Sequence, residues 1–276
     1  AEKARSARYA FDEAALRPYL QLDKMIAAAF HVAEALFGVT FEEHADVPTY
    51  HPDVRVFEAR DASGARLAIF LGDYFARPSK RSGAWMSAFR SQHRLAHDGG
   101  RQVPVILNVM NFAKPAPGAP TLITMNDAKT LFHELSHSLG PGTIIVDGEE
   151  TTVNERLQEL YSPIEEGKAD IMGAYNVLYM MQKGELSAEE KQSYLATHFV
   201  GLFRSMRFGV VAAHARGAAF QYSFFKEAGA FTIEDGKHRL DFDKLEQAIT
   251  DLVRTVVMVQ GDGDYEQAKA FLDQYA

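Results

Sequence analysis

The chain has 276 residues, 47% hydrophobic and 24% charged, a composition that supports a large buried core. Its net charge of −8, with no long basic run, argues against nucleic acid or an anionic membrane surface as a partner. There is no cysteine, which excludes disulfides, cysteine nucleophiles and thiolate metal sites and leaves His, Asp and Glu as ligands.

No apolar run approaches the roughly 18 to 20 residues that span a bilayer, and the opening AEKARSARYAFDEAALRP is too charged for the core of a signal peptide. A cytoplasmic location is the expectation. The first residue is not methionine, so the chain reads as a processed product, an excised catalytic part or an engineered piece.

Residues 12 to 37 carry apolar side chains at helical spacing, with Pro18 near the start and Gly38 as a stop, which predicts a long helix. His31 lies among its alanines and reads as a packed histidine. His44 and His51 fall in a proline-punctuated loop. Val54 to Tyr74 alternates in two runs, VRVFEAR and RLAIFLGDY, around Asp61-Ala62-Ser63-Gly64, the pattern of a hairpin. Phe75 to Arg94 is rich in Arg, Lys, Ser and Gly, and Val103 to Phe112 reads as a further buried strand. Ala113 to Pro120, with three prolines and a glycine, is the candidate linker. The chain is then one catalytic domain over 1–276, divisible into a sheet-containing lobe (1–120) and a helical lobe (121–276).

The run Leu131-Phe132-His133-Glu134-Leu135-Ser136-His137-Ser138-Leu139 reads HExxH inside an apolar, proline-free stretch. On a helix, two histidines four apart lie about 40° from one another around the axis, so both imidazoles can reach one metal ion. Glu134 would sit beside that metal without ligating it. A zinc held by two imidazoles and a carboxylate keeps a position for water, whose pKa it lowers, and a neighbouring glutamate can take the proton. Asn126 or Asp127 offers an N-cap, and Gly140-Pro141-Gly142 stops the helix after the second histidine.

Beyond it, Thr143 to Gly148 can form a short strand and Thr151 to Leu160 a helix. Ser162, Pro163 and Glu165 have the form of a capping box opening a helix to about Met181. Helices are expected over 189–216, 218–228, 243–258 and 264–275, with a strand pair over 231–242. The fold class is α+β, mainly helical, with a small antiparallel sheet in the first half.

Two histidines need a third ligand, and Glu159, Glu165 and Glu166 follow His137 by 22 to 29 residues. With Glu165 occupied in the capping box, Glu166 is left to face inward; Glu159 is the next candidate. Asp170, one turn after Glu166, would share its face and could orient a ligating histidine. His214, seven residues after Arg207 on the same predicted helix, is either a packed histidine or, if it faces the metal, a donor to an oxyanion.

Residues 11–139 resemble the dipeptidyl carboxypeptidase and oligopeptidase A (thimet oligopeptidase) family, through FDEAALRPYLQLDKMI, AEALFGVTFEE, GDYFARPSKRSGAWMS, PVILNVMNFAKP and DAKTLFHELSH. That resemblance implies a zincin-like core, with His133 and His137 as zinc ligands and Glu134 as general base. The family normally has glycine in place of Ser136 and its ligand glutamate in a different local motif. Residues 133–275 instead resemble the short bacterial relatives of dipeptidyl peptidase III, through HELSHSLGPG, TTVNERLQELYSPIEEGKAD, LFRSMRFGVVAAHARGAAFQYSFFKEAGAF and GDGDYEQAKAFL. This second resemblance implies Glu166 as the third ligand and His214 as the group that stabilises the transition state. Together they imply a composite chain that binds one Zn2+ and hydrolyses short peptides, releasing dipeptides. The alternative is a truncated or engineered scaffold that binds zinc or peptide without catalysis.

Overall fold

The computed structural model describes residues 17–93, 100, 102–184 and 188–276. The chain divides into two compact units, Ala1–Leu135 and Ser136–Ala276, and the division falls within the helix that carries HELSH.

In the first unit, helix α1 (Leu22–Phe37) buries Met25, Ile26, Ala29, Val32 and Ala33, the stripe that its spacing predicts. Gly38 ends it in the left-handed region at φ +66°, where its N–H returns to the last turn. The expected start at residue 12 lies outside the described residues. His31 is exposed rather than packed, because it falls on the opposite side of the helix from that stripe.

The sheet has five strands: β1 (Thr40–Glu43), β2 (Arg55–Arg60), β3 (Arg66–Phe75), β4 (Trp85–Arg90) and β5 (Val105–Phe112), in spatial order β1-β2-β3-β5-β4. The predicted hairpin is β2–β3, with Phe57 opposite Phe70. The sheet is mixed rather than antiparallel, since β3 and β5 run parallel. After β3 the chain first lays down the edge strand β4 and then returns between β3 and β4, a crossover long enough for a parallel pair. β1 and β4 escape a sequence reading because they are edge strands that bury little; the last four residues of β4 are exposed. Phe30 of α1 stacks on Phe41 at 4.0 Å and meets Phe57 and Phe70 edge-on at 4.9 and 5.9 Å, which seats the helix on the sheet.

The Arg/Lys-rich segment after β3 is fastened by the buried carboxylate of Asp73. It accepts from Tyr50 at 2.8 Å, from both terminal nitrogens of Arg77 at 2.6 Å and from Lys80 at 3.2 Å. Lys80 also donates to the carbonyls of Asp73, Phe75 and Met110, so one ammonium ties this segment to β5.

The second unit opens with the hairpin β6 (Thr143–Val146) and β7 (Glu149–Thr152). A capping box does form here, but on Thr152 and Glu155, at the start of α3 (Val153–Leu157). The one expected on Ser162 and Glu165 does not. Helix α4 (Tyr161–Gln182) follows a 3-10 turn directly, and Leu160 before it is already helical, whereas a capping residue must be extended.

The long helix expected over 189–216 is two helices, α5 (Lys191–Met206) and α6 (Ala213–Glu227), parted at Gly209 with φ +98°. His214 therefore lies in the first turn of α6 and shares no helix face with Arg207. The hairpin β8 (Phe231–Glu234) and β9 (Lys237–Leu240) precedes α7 (Phe242–Asp262) and α8 (Tyr265–Tyr275), each started by an aspartate cap, Asp241 and Asp264. The core of this unit gathers Leu157, Ile164, Ile171, Phe220, Leu252 and Leu272, all fully buried. Where α4 crosses α6 the packing is tight: a Cβ on Gly217 would come within 2.9 Å of the Gly167 backbone, and one on Gly167 within 1.9 Å of the Phe220 ring. Among the described residues no helix is long and apolar enough to cross a membrane.

Candidate metal centre

Helix α2 (Met125–Ser136) carries the motif as far as Ser136; it ends before His137, earlier than the expected stop at Gly140-Pro141-Gly142, and it is capped from Thr124 rather than by Asn126 or Asp127. Thr124 and Asp127 cap it reciprocally: the Thr124 hydroxyl accepts from the Asp127 N–H at 3.1 Å and the Asp127 carboxylate from the Thr124 N–H at 3.0 Å. Leu131, Phe132, Leu135 and Leu139 are buried and fix the rotation of the run. That leaves His133 and His137 half-buried, while Glu134, next in sequence to His133, is buried.

His133, His137 and Glu166 each offer one ligand atom, and these atoms lie within 4.8 Å of one another. Two imidazole nitrogens and a carboxylate oxygen, with no thiolate, are a donor set that fits Zn2+ with a fourth position open. Glu159, the other candidate, is exposed and accepts a hydrogen bond from the Tyr265 hydroxyl instead. His214 comes to the same place from α6, its Nδ1 2.8 Å from Glu166 Oε2.

Glu165 corrects the sequence expectation most sharply. Instead of capping a helix, its carboxylate is buried: Oε1 meets His137 Nδ1 at 2.9 Å and Lys168 Nζ at 2.9 Å, and Oε2 accepts from Gln260 Nε2 at 2.6 Å. The contact to Nδ1 leaves His137 Nε2 for a metal, and Nε2 lies 3.6 Å from Glu166 Oε2. The orienting role expected of Asp170 is taken, for His137, by Glu165. Burial raises the Glu165 pKa, but the His137 hydrogen bond and the Lys168 ammonium outweigh it and hold the carboxyl below its ordinary range. Lys168, almost wholly buried, is pushed down by that burial and is held by Glu165 and by the carbonyl of Leu139 at 2.8 Å. Its amine thereby caps the end of the motif run, where carbonyls lack helical partners.

Neither Lys168 nor Gln260 stands out as part of a site in the sequence. Gln260 left one trace: a polar residue four positions after Val256 on the apolar stripe Leu245, Ile249, Leu252, Val256 of α7.

The arrangement defines an α+β protein, close to half helical, with a His-His-Glu group able to hold a metal ion. The pattern of peptidase family M3 matches residues 1–140, and the chain belongs to that family. It is 48% identical over 140 residues to dipeptidyl carboxypeptidase of Salmonella typhimurium and 40% identical over 138 residues to oligopeptidase A of Escherichia coli. In both cases half of this chain is covered and 20% of the relative, so the chain spans about a fifth of the length of these curated relatives. Among solved structures, dipeptidyl peptidase III from Caldithrix abyssi is 40% identical over 53% of this chain and 28% of its own, with a TM-score of 0.51. Dipeptidyl peptidase III from Corallococcus sp. strain EGB covers 92% of this chain and 48% of its own, with a TM-score of 0.58 at 23% identity, a likeness of fold.

Proposed function

We propose that the chain is a zinc-dependent metallopeptidase acting on short peptides, with a zincin-like core and a preference for releasing dipeptides. The observation that carries this reading is the convergence of His133, His137 and Glu166 in a member of peptidase family M3. The names of the relatives, carboxypeptidase, oligopeptidase and dipeptidyl peptidase, support the substrate class.

In this reading His133, His137 and Glu166 hold Zn2+. When bound, the ion supplies a Lewis acid and brings the pKa of a water towards about 7. Glu134, buried and next in sequence to His133, receives the proton of the attacking water and passes it to the leaving amine. His214, whose Nδ1 lies 2.8 Å from Glu166 Oε2, donates in this reading to the oxygen of the attacked carbonyl as charge builds there. Glu165 keeps His137 in the tautomer with Nδ1 protonated.

Metal content and hydrolysis of fluorogenic short peptides test the proposal together. The parent should hold about one zinc per chain and cleave. Glu134→Ala should keep the zinc and lose activity by at least about a hundredfold, since general-base catalysis contributes roughly 10²–10⁴. Equal rates for parent and Glu134→Ala would refute the mechanism, and a folded parent that takes up no zinc would refute the metal centre. Zinc uptake without hydrolysis in the parent would favour a non-catalytic zinc-binding scaffold.

A further inference from the structure

Gln260 is fully buried near the end of α7, 95 residues from Glu165 in sequence, and its Nε2 donates to Glu165 Oε2 at 2.6 Å. Facing a carboxylate, the amide must present its NH2 side, which turns its oxygen away. That oxygen, Oε1, is buried and has no hydrogen-bond partner among the described residues. An unpartnered buried acceptor costs stability, so the glutamine is not explained by apolar packing and its place rests on the bond that its NH2 makes. What the glutamine does provide is a donor at one place, the outer oxygen of the carboxylate that holds His137.

The two oxygens of Glu165 are thereby divided. Oε1 is used by His137 and Lys168, and Oε2 is used by Gln260. The Gln260 bond at Oε2 restrains the carboxylate plane about its last torsion and favours Oε1 in line with Nδ1 of His137. Lys168 cannot do this by itself, because it meets the same oxygen as the histidine and would follow it as the plane rotates.

We infer that Gln260 is a positioning residue of the metal centre: through Glu165 it sets the ring orientation of His137, and so makes helix α7 part of the site. The inference rests on the proposal that His137 is a metal ligand. Groups two shells from a metal act by narrowing ligand geometry, and losing such an outer partner typically weakens metal binding 10- to 100-fold.

The test compares the parent chain with Gln260→Met, a change of similar length and volume that removes the donor. Three readouts are taken: zinc affinity by competition with a chromophoric chelator, melting temperature of the metal-free protein, and the visible absorption of the Co2+-substituted protein at equal loading. The expected result is about tenfold weaker zinc binding and an altered Co2+ spectrum, both beyond what the modest fall in metal-free melting temperature from leaving Glu165 Oε2 without its donor accounts for. An affinity within twofold of the parent and an unchanged Co2+ spectrum would overturn the inference. So would a fall in metal-free melting temperature that accounts for the lost affinity, since Gln260 would then be a fold support. A parent that binds no zinc would instead bring down the underlying proposal, and this inference with it.

Discussion

At the scale of single residues, EEGKAD packs two tasks into neighbouring glutamates. Glu165 and Glu166 are adjacent on α4 and so point about 100° apart, yet both reach His137: one at Nδ1 at 2.9 Å, the other towards Nε2 at 3.6 Å. They meet the same ring at its two nitrogens. Choosing between Glu159 and Glu166 as ligand is then a question of direction, and Glu159 faces Tyr265. Glu166→Ala should weaken zinc binding by more than about a hundredfold, a larger loss than outer-shell changes cause, while Glu159→Ala leaves it within a few-fold. Equilibrium dialysis against buffered zinc reads this directly, and the reverse ranking would refute the assignment of Glu166.

At the scale of elements, the site depends on how closely α4 and α6 approach, because α4 carries Glu166 and α6 carries His214. The approach is set by Gly167 and Gly217. With no Cβ on either, the backbones come together and the Phe220 ring occupies the space that a Cβ on Gly167 would fill. Gly167→Ala should therefore destabilise the protein by about 1–3 kcal/mol, despite the gain of roughly 1 kcal/mol in helix propensity. Gly201→Ala on α5 is the matched control: a Cβ there meets nothing within 4 Å, so only the propensity gain should remain. Urea unfolding of both variants gives the comparison, and a Gly167→Ala protein as stable as Gly201→Ala would mean that the helices can part at no cost.

At the scale of the whole molecule, the proposed ligands come from two stretches, His133 and His137 on the motif run and Glu166 on α4. A metal that binds the folded chain and not the unfolded one adds about 2.7 kcal/mol at a hundred times its dissociation constant. For a chain of this size each kcal/mol is worth about 2–4 °C, so zinc should raise the melting temperature by roughly 5–10 °C. The rise should vanish in His137→Ala. It should also shrink as the pH is lowered, since imidazole and carboxylate must lose their protons to bind. Scanning calorimetry with and without zinc, at two pH values, measures it; identical melting curves would argue that no metal couples to the fold.

Local signals decided much of this protein. The stripe of α1, the stop at Gly38, the β2–β3 hairpin and the existence of the helix that enters HELSH all depend on residues within a few positions of one another, so the chain states them outright. The candidate residues His133, Glu134, His137, Glu166 and His214 were nominated from motif spacing and from resemblance. What only the tertiary structure decided were matters of long-range pairing. β4 and β1 became strands because a neighbour offered its hydrogen bonds, and β5 took a parallel partner because of where the chain returned. Glu165 looked like a helix cap because its spacing from Ser162 permits one. It became the anchor of His137 because Lys168 and Gln260, one of them nearly a hundred residues away, bring donors to a carboxylate that folding has taken out of water.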